Sequence, residues 1–361
     1  MFALQVGLIL PVLFVTMTGG LDFLRVYNAH QNLQFTLDSA AYSAMMEAAT
    51  KNPKDAAEDF INEALQHSNS KYQFAVAETR IKDLDVKLSD DGRSLSIKAV
   101  GEMETPFLSL ARMETMDFAV SADASVECKP YKANYIGHAF LNDDDEYVMT
   151  VADYFQKGWA WVEGKFDLNQ RQDIRLQLYF GTRNGNGADG IAFSIHNDLG
   201  GENATGQAGE SLGVAFHPQA PGNGLGPNNE DNIVAPAIVV EFDTWRNAFD
   251  PPEDHTAVFT IGNKERNYTL QNGYLDHRRD NELMPLKKLP NLEDGKFHYA
   301  RFIWDPEINK LIYFFDGEKI GEVDFDLIDF LGSDEAWMGF SASTGGAINE
   351  HRACFSRVTI Q

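Results

Sequence analysis

The sequence predicts an all-β C-terminal domain, an antiparallel β-sandwich of jelly-roll type, preceded by an N-terminal transmembrane helix and a small α/β spacer. Three observations carry this reading. Residues 2–21 hold no charged side chain. Residues 52–126 change from helical spacing to period-two alternation. From Tyr131 onward the chain is one short alternating stretch after another, separated by Gly, Asn and Pro turns. The expected domains are therefore 1–50, 51–130 and 131–361.

Composition narrows the function. There are 25 Phe and 29 Gly but only two Cys, which suits β-structure with tight turns. The formal net charge of -24 excludes the basic footprint that nucleic-acid binding needs. An acidic surface is compatible with hard cations and with plain solvation. Cys128 and Cys354 could pair in an exported chain, or stay as two buried thiols in a cytosolic one.

The run FALQVGLILPVLFVTMTGGL, residues 2–21, has Gln5 as its one strongly polar residue. Twenty residues at ~1.5 Å rise span a ~30 Å hydrocarbon core. The run exceeds the usual signal-peptide core, and no clean small-x-small cleavage site follows it. Charge gives no orientation, because only the terminal amine precedes the run while Asp22 and Arg25 follow it. Together with the helix-favouring sequence after it, this stretch resembles the N-terminus of Tad pilus-assembly proteins of the TadE/TadG kind. That resemblance covers residues 1–50 and implies a single-pass bacterial inner-membrane anchor. The rest of the chain would then lie in the periplasm or outside the cell, with pilus or secretion-machinery proteins as possible partners.

Asn52-Pro53 offers an N-cap and a first helical residue. Behind it, Ala56, Phe60, Ile61 and Leu65 recur at helical spacing. Leu84, Val86 and Leu88, then Leu95, Ile97 and Ala99, alternate around Asp90-Asp91-Gly92, which reads as a hairpin. A further strand near residues 116–126 would complete a small sheet. The segment carries no catalytic constellation and reads as a spacer or a packing surface.

In the last domain, Ile174, Leu176, Leu178 and Phe180 alternate with Arg175, Gln177 and Tyr179. Further strands are expected at 191–195, 237–242, 258–261, 299–304, 311–315 and 337–340, with Asp316-Gly317 as a hairpin turn. The chemistry concentrates in IVVEFDTWRNAFDPPEDH, residues 238–255. Glu241 and Asp243 are two apart on a strand, so both carboxylates leave the same face. Two such anions need a compensating cation. Asn247, Asp250 and His255 can turn back toward the same point. Oxygen donors suit calcium, and one imidazole among carboxylates suits a transition ion such as manganese. The pattern supports a paired-metal site.

This segment resembles the metal-binding stretch of legume (L-type) lectins, whose fold is the concanavalin-like sandwich. GADGIAF at 187–193, GWAWVEGKFDL at 158–168 and MGFSASTG at 338–345 resemble further motifs of that family in the same order. The resemblance implies that Glu241, Asp243, Asp250 and His255 hold a transition ion, manganese in this reading. Asp243, Asp250, the Asn247 side chain and the Trp245 carbonyl would hold Ca2+. Asp189 would accept sugar hydroxyls, with a cis peptide linking it to Ala188. Trp245 would stack on a sugar ring, Asn247 would face the sugar, and a backbone amide of the GQAGESLG loop, assigned to Gly209, would complete the site. Thr256-Ala257-Val258 after His255 departs from the family pattern at the transition-ion site, and the GGAINEH loop at 345–351 is unlike the plant forms, so the resemblance leaves the sugar open. First and last strands are often neighbours in such sandwiches, so a Cys128–Cys354 disulfide is expected.

The expected function is thus a membrane-anchored, calcium-dependent carbohydrate-binding protein, a lectin for adhesion or for envelope polysaccharide, and not an enzyme. A pilus-assembly protein whose lectin-like domain binds a protein partner is the alternative. A glycoside hydrolase with E-x-D-x-x-E on one strand is disfavoured, because Arg246 stands at the third position and a guanidinium cannot serve as acid/base.

Overall fold

The structure is a computed structural model. It describes residues 2–71, 79–216, 233–247, 250–252, 254–263, 273–275, 277 and 280–360; of these, the side chains of residues 2–18, 65–71 and 357–360 are not described. The chain divides into two compact units, Met1–Glu127 with Val358–Gln361, and Cys128–Arg357. The second begins just ahead of Tyr131, where the alternating pattern starts.

The first unit opens with α1, Phe2–Met46, and α2, Pro53–Lys71. The second helix starts where the sequence places it: the Asn52 side chain accepts from the backbone N of Lys54 at 3.0 Å. Val26, Ala29, Leu33, Leu37, Ala40, Ala41 and Ala44 recur every three to four residues along α1 and are buried. Asp22 is fully buried, and its carboxylate accepts from the backbone N of Phe107 and Leu108 at 2.9 and 2.6 Å. Among the described residues no helix is long and apolar enough to cross a membrane. Most of the apolar run 2–21 lies outside the described side chains, so the expected anchor rests on the sequence.

Three strands complete the unit: β1 (Thr79–Leu88), β2 (Ser94–Glu104) and β3 (Thr115–Lys129), whose last two residues belong to the second unit. They form an antiparallel meander in which Val86 faces Ile97 and Ile97 faces Ala122. The Asp90-Asp91-Gly92 turn is as expected: Gly92 takes φ 76°, and the Asp91 carboxylate accepts from the Arg93 backbone at 3.1 Å.

The second unit is an antiparallel β-sandwich. Its strands are β4 (Ala133–Gly137), β5 (Phe140–Leu141), β6 (Tyr147–Thr150), β7 (Lys157–Val162), β8 (Phe166–Asp167), β9 (Gln172–Tyr179), β10 (Gly190–His196), β11 (Ala237–Asp243), β12 (His255–Ile261), β13 (Glu282–Lys288), β14 (Phe297–Asp305), β15 (Lys310–Phe315), β16 (Glu318–Asp324), β17 (Glu335–Ser343) and β18 (His351–Ile360), whose last three residues belong to the first unit. One sheet runs β13-β12-β11-β10-β17-β7-β4, with β8 on β17. In the other, β18-β9-β14-β15-β16 are in order, β6 pairs with β18, and β5 pairs with β6.

The abundant Phe residues meet between the sheets. Phe242 on β11 and Phe315 on β15 have ring centroids 5.5 Å apart, and Phe193 on β10 lies 6.4 Å from Phe302 on β14. Burying each such ring is worth roughly 1.5–3 kcal/mol. The outer face of the first sheet is covered as well. Leu212, Val214, Ile233 and Val234 pack there on Trp159, Ala192, Val239 and Ile261. That second cover explains why β10 and β11 are buried along their whole length and why β11 opens on an unbroken apolar run. The expected Cys128–Cys354 disulfide is present within this unit.

Candidate metal and sugar site

The site grows from one end of the β10-β11-β12 ladder. On β11, Glu241 and Asp243 share a face, and the register sets Asp243 opposite His255 on β12 and opposite Gly190 on β10. Gly190 has φ 156°, and a Cβ there would lie 2.2 Å from the Phe242 carbonyl oxygen, so only glycine permits this pairing beside Asp189.

Glu241, Asp243 and His255 are all buried. Burial pushes the Glu241 carboxyl well above the usual carboxylate range, with His277 opposing the rise and the charge of Asp250 adding to it. Asp243 is held well above the usual carboxylate range by burial, then by the charges of Glu241 and Asp250. Two groups of donors result, each with its ligand atoms within 4.8 Å of one another: Glu241, His255 and His277, and Asp243, Asp250 and His255. Glu241 Oε2 is buried and accepts no hydrogen bond. A buried carboxylate oxygen left this way, among two imidazoles and two further carboxylates, fits a divalent cation.

The turn after β11 is held by its own side chains. Trp245 N donates to Asp243 Oδ1 at 2.6 Å, and Asn247 N donates to Asp250 Oδ2 at 2.8 Å. The Asn247 side-chain nitrogen is buried and donates no hydrogen bond. Trp245 is exposed. Residues 248, 249 and 253 of the motif lie outside the described residues.

Asp189 sits at the start of β10, and its peptide bond with Ala188 is cis. Its carbonyl accepts from Thr244 N at 3.0 Å, which ties it to the turn bearing Trp245. Asp189 is 6% exposed, and its Oδ2 accepts no hydrogen bond. Burial, with the nearby Glu210 charge, raises its carboxyl to about 7, against the polar Ser343 hydroxyl nearby, which lowers it. Ser343 joins the parts: its carbonyl accepts from Asp189 N at 2.9 Å, and its hydroxyl donates to the Gly209 carbonyl at 3.1 Å. Gly209, at φ 75°, is thereby brought to the Asp189 cluster, although the loop's sequence gave little alignment there.

The sequence reading missed His277. Its Nε2 lies 3.5 Å from Glu241 Oε2 and 3.9 Å from Asp250 Oδ1. Nothing in local spacing marks it, because only the return of the chain from β12 into β13 brings it back to β11.

The model of the legume lectin beta-barrel domain family matches residues 117–357. Among solved structures, the chain is similar to the lectin from Bauhinia forficata in complex with GalNAc, at 18% identity and TM-score 0.45, covering 66% of this chain and 98% of that one. It is also similar to lectin II from Ulex europaeus, at 15% identity and TM-score 0.47 with the same coverage. Peanut lectin gives 18% and 0.45, again covering 66% and 98%. The match over residues 117–357 spans the entire sandwich and every residue of the site, and this chain belongs to the legume lectin beta-barrel domain family.

Proposed function

We propose that this chain is a calcium-dependent carbohydrate-binding protein, a lectin, anchored in a bacterial inner membrane by its N-terminal helix. Its sandwich would face the periplasm or the outside, serving adhesion or a grip on envelope polysaccharide. The observation that carries the sugar reading is the buried Asp189 carboxylate oxygen that accepts no hydrogen bond, on a residue tied through Thr244 to the turn that exposes Trp245. A sugar hydroxyl donates to the first, and an apolar ring face stacks on the second. Asp243, Asp250, the Asn247 side chain and the Trp245 carbonyl would hold calcium. Glu241, Asp250 and His255, with Asp243, would hold the transition ion. Such cations offset the repulsion among the buried carboxylates and fix the turn that presents Trp245 and Asn247.

The disulfide supports an oxidising compartment, because such bonds rarely persist in a reducing cytosol. The likeness of residues 1–50 to Tad pilus-assembly proteins supports the anchor and, with it, proximity to pilus or secretion machinery. Binding rather than catalysis is supported by Arg246, which stands where a sandwich glucanase would need its acid/base. The test is a glycan array with the full chain in detergent, run with calcium and again with EDTA. Binding that EDTA abolishes is the expected result. A folded, calcium-loaded chain that binds no glycan would overturn the proposal in favour of a protein-binding role.

A further inference from the structure

We propose that the transition-ion site of this chain has two imidazole ligands, His255 and His277, and is built for zinc rather than for manganese. This deepens the lectin reading and rests on its metal centre. The family resemblance supplies one imidazole among three carboxylates, a donor set suited to a six-coordinate manganese ion. Here a second imidazole enters from the chain just ahead of β13.

The donor geometry supports this. Four zinc bonds of ~2.0–2.1 Å at tetrahedral angles put ligand atoms about 3.4 Å apart. His277 Nε2 lies 3.5 Å from Glu241 Oε2 and 3.9 Å from Asp250 Oδ1, and His255 Nε2 lies 3.9 Å from Glu241 Oε2. Glu241, His255 and His277 thus offer one oxygen and two nitrogen donors within 4.8 Å of one another, and Asp250, 3.9 Å from His277, is the candidate fourth donor.

The side chain of His277 is prepared for ligation. Its exposure is 9%, and its Nε2 is buried without a hydrogen bond. Its ring packs on Phe259 at 5.3 Å and on His255 at 5.0 Å between centroids. Its Nδ1 lies 2.8 Å from Glu282 Oε1 on β13. The Leu286 backbone N also donates to that Glu282 oxygen at 3.0 Å. A carboxylate on the far nitrogen would hold the proton on Nδ1 when a cation takes Nε2, an arrangement found behind many zinc-bound histidines. Two imidazoles in a small, dry shell favour a borderline ion of tetrahedral preference. Glu282 is therefore a positioning residue.

The experiment uses the full chain in detergent, stripped of metal and returned to calcium alone, then titrated separately with Zn2+ and with Mn2+. His277→Ala is expected to lose zinc affinity by at least a hundredfold and manganese affinity by less than threefold. Glu282→Gln is expected to lose roughly tenfold for zinc, the low end for an outer-shell partner. Co2+ in the wild type should give the intense visible absorption of a tetrahedral ion, and His277→Ala should lose it. Zinc affinity within threefold of wild type in a folded His277→Ala protein would overturn the proposal. If that variant does not fold, pulsed electron resonance of the Cu2+-loaded wild type decides by counting bound imidazoles: two support the site, and one sinks it. Glycan binding is scored separately. One imidazole with EDTA-sensitive glycan binding rejects zinc and leaves the lectin reading intact, whereas two imidazoles without glycan binding does the reverse.

Discussion

Replacing Asp189 by Asn should weaken sugar binding and strengthen the fold at the same time. The carboxylate is 6% exposed and raised to about 7, from 3.8 in an unfolded chain. For an acid with a raised folded pKa, the native state is penalised once pH exceeds the unfolded value. The penalty grows between about pH 4 and 7 and is then constant. A shift of about three units corresponds to ~4 kcal/mol at 1.36 kcal/mol per unit, an upper figure. Asn keeps the shape and removes the charge, so the variant should gain about 2–4 kcal/mol at pH 8 and almost nothing at pH 4. Sugar binding should move the other way. Exchanging the carboxylate for an amide weakens charge-assisted hydrogen bonds worth ~1.5–3 kcal/mol each, so affinity should fall tenfold to several hundredfold. Denaturant unfolding at pH 4 and pH 8 in metal-free buffer measures the first half, and isothermal titration in calcium buffer of a sugar found on the array measures the second. Unchanged affinity with unchanged stability would refute the assignment of Asp189 as a desolvated acceptor held open for ligand.

Two further outcomes follow from the second unit. The disulfide closes a loop with a sequence separation of 226 residues, for which the chain-entropy relation gives about 5 kcal/mol. Real bridges deliver less, so Cys128→Ser with Cys354→Ser should cost about 2–4 kcal/mol in a denaturation experiment, and mass spectrometry of the wild type should find no free thiol. His298 is almost fully buried; burial alone would lower its pKa, but hydrogen bonds with Asp294 and Asp316 outweigh that and raise it to about 9. Its stabilisation is complete below the unfolded value near 6.5 and is lost as pH rises through about 9. Because Asp294 and Asp316 are partly solvated, at 29% and 39% exposure, solvent screening reduces the effect to about 1–3 kcal/mol. That pH-dependent loss should be absent in His298→Gln, read by unfolding at pH 6 and pH 9.5.

Much of the fold was legible because strand periodicity is a local property. Alternation through residues 174–180 places Ile174, Leu176 and Leu178 in the core of β9. Asp316-Gly317 turns the chain between β15 and β16 with positive φ at both residues, 43° and 84°. Periodicity was weaker where both faces are covered: Val239 and Val240 are both buried, so β11 reads as a run rather than an alternation.

The same division runs through the site. The two-residue spacing of Glu241 and Asp243, the turn holding Asn247 and Asp250, and His255 beyond it were in the sequence, because a strand and its turn fix neighbouring side chains over a few residues. What only the tertiary structure decided is which distant groups meet them. Ser343 bridges Asp189 and Gly209 because β17 lies beside β10. His277 reaches Glu241, and Glu282 orients it, because β13 returns along β12. Spacing along a chain has no term for such pairings, since strand register across a sheet is set by which apolar faces must be buried together.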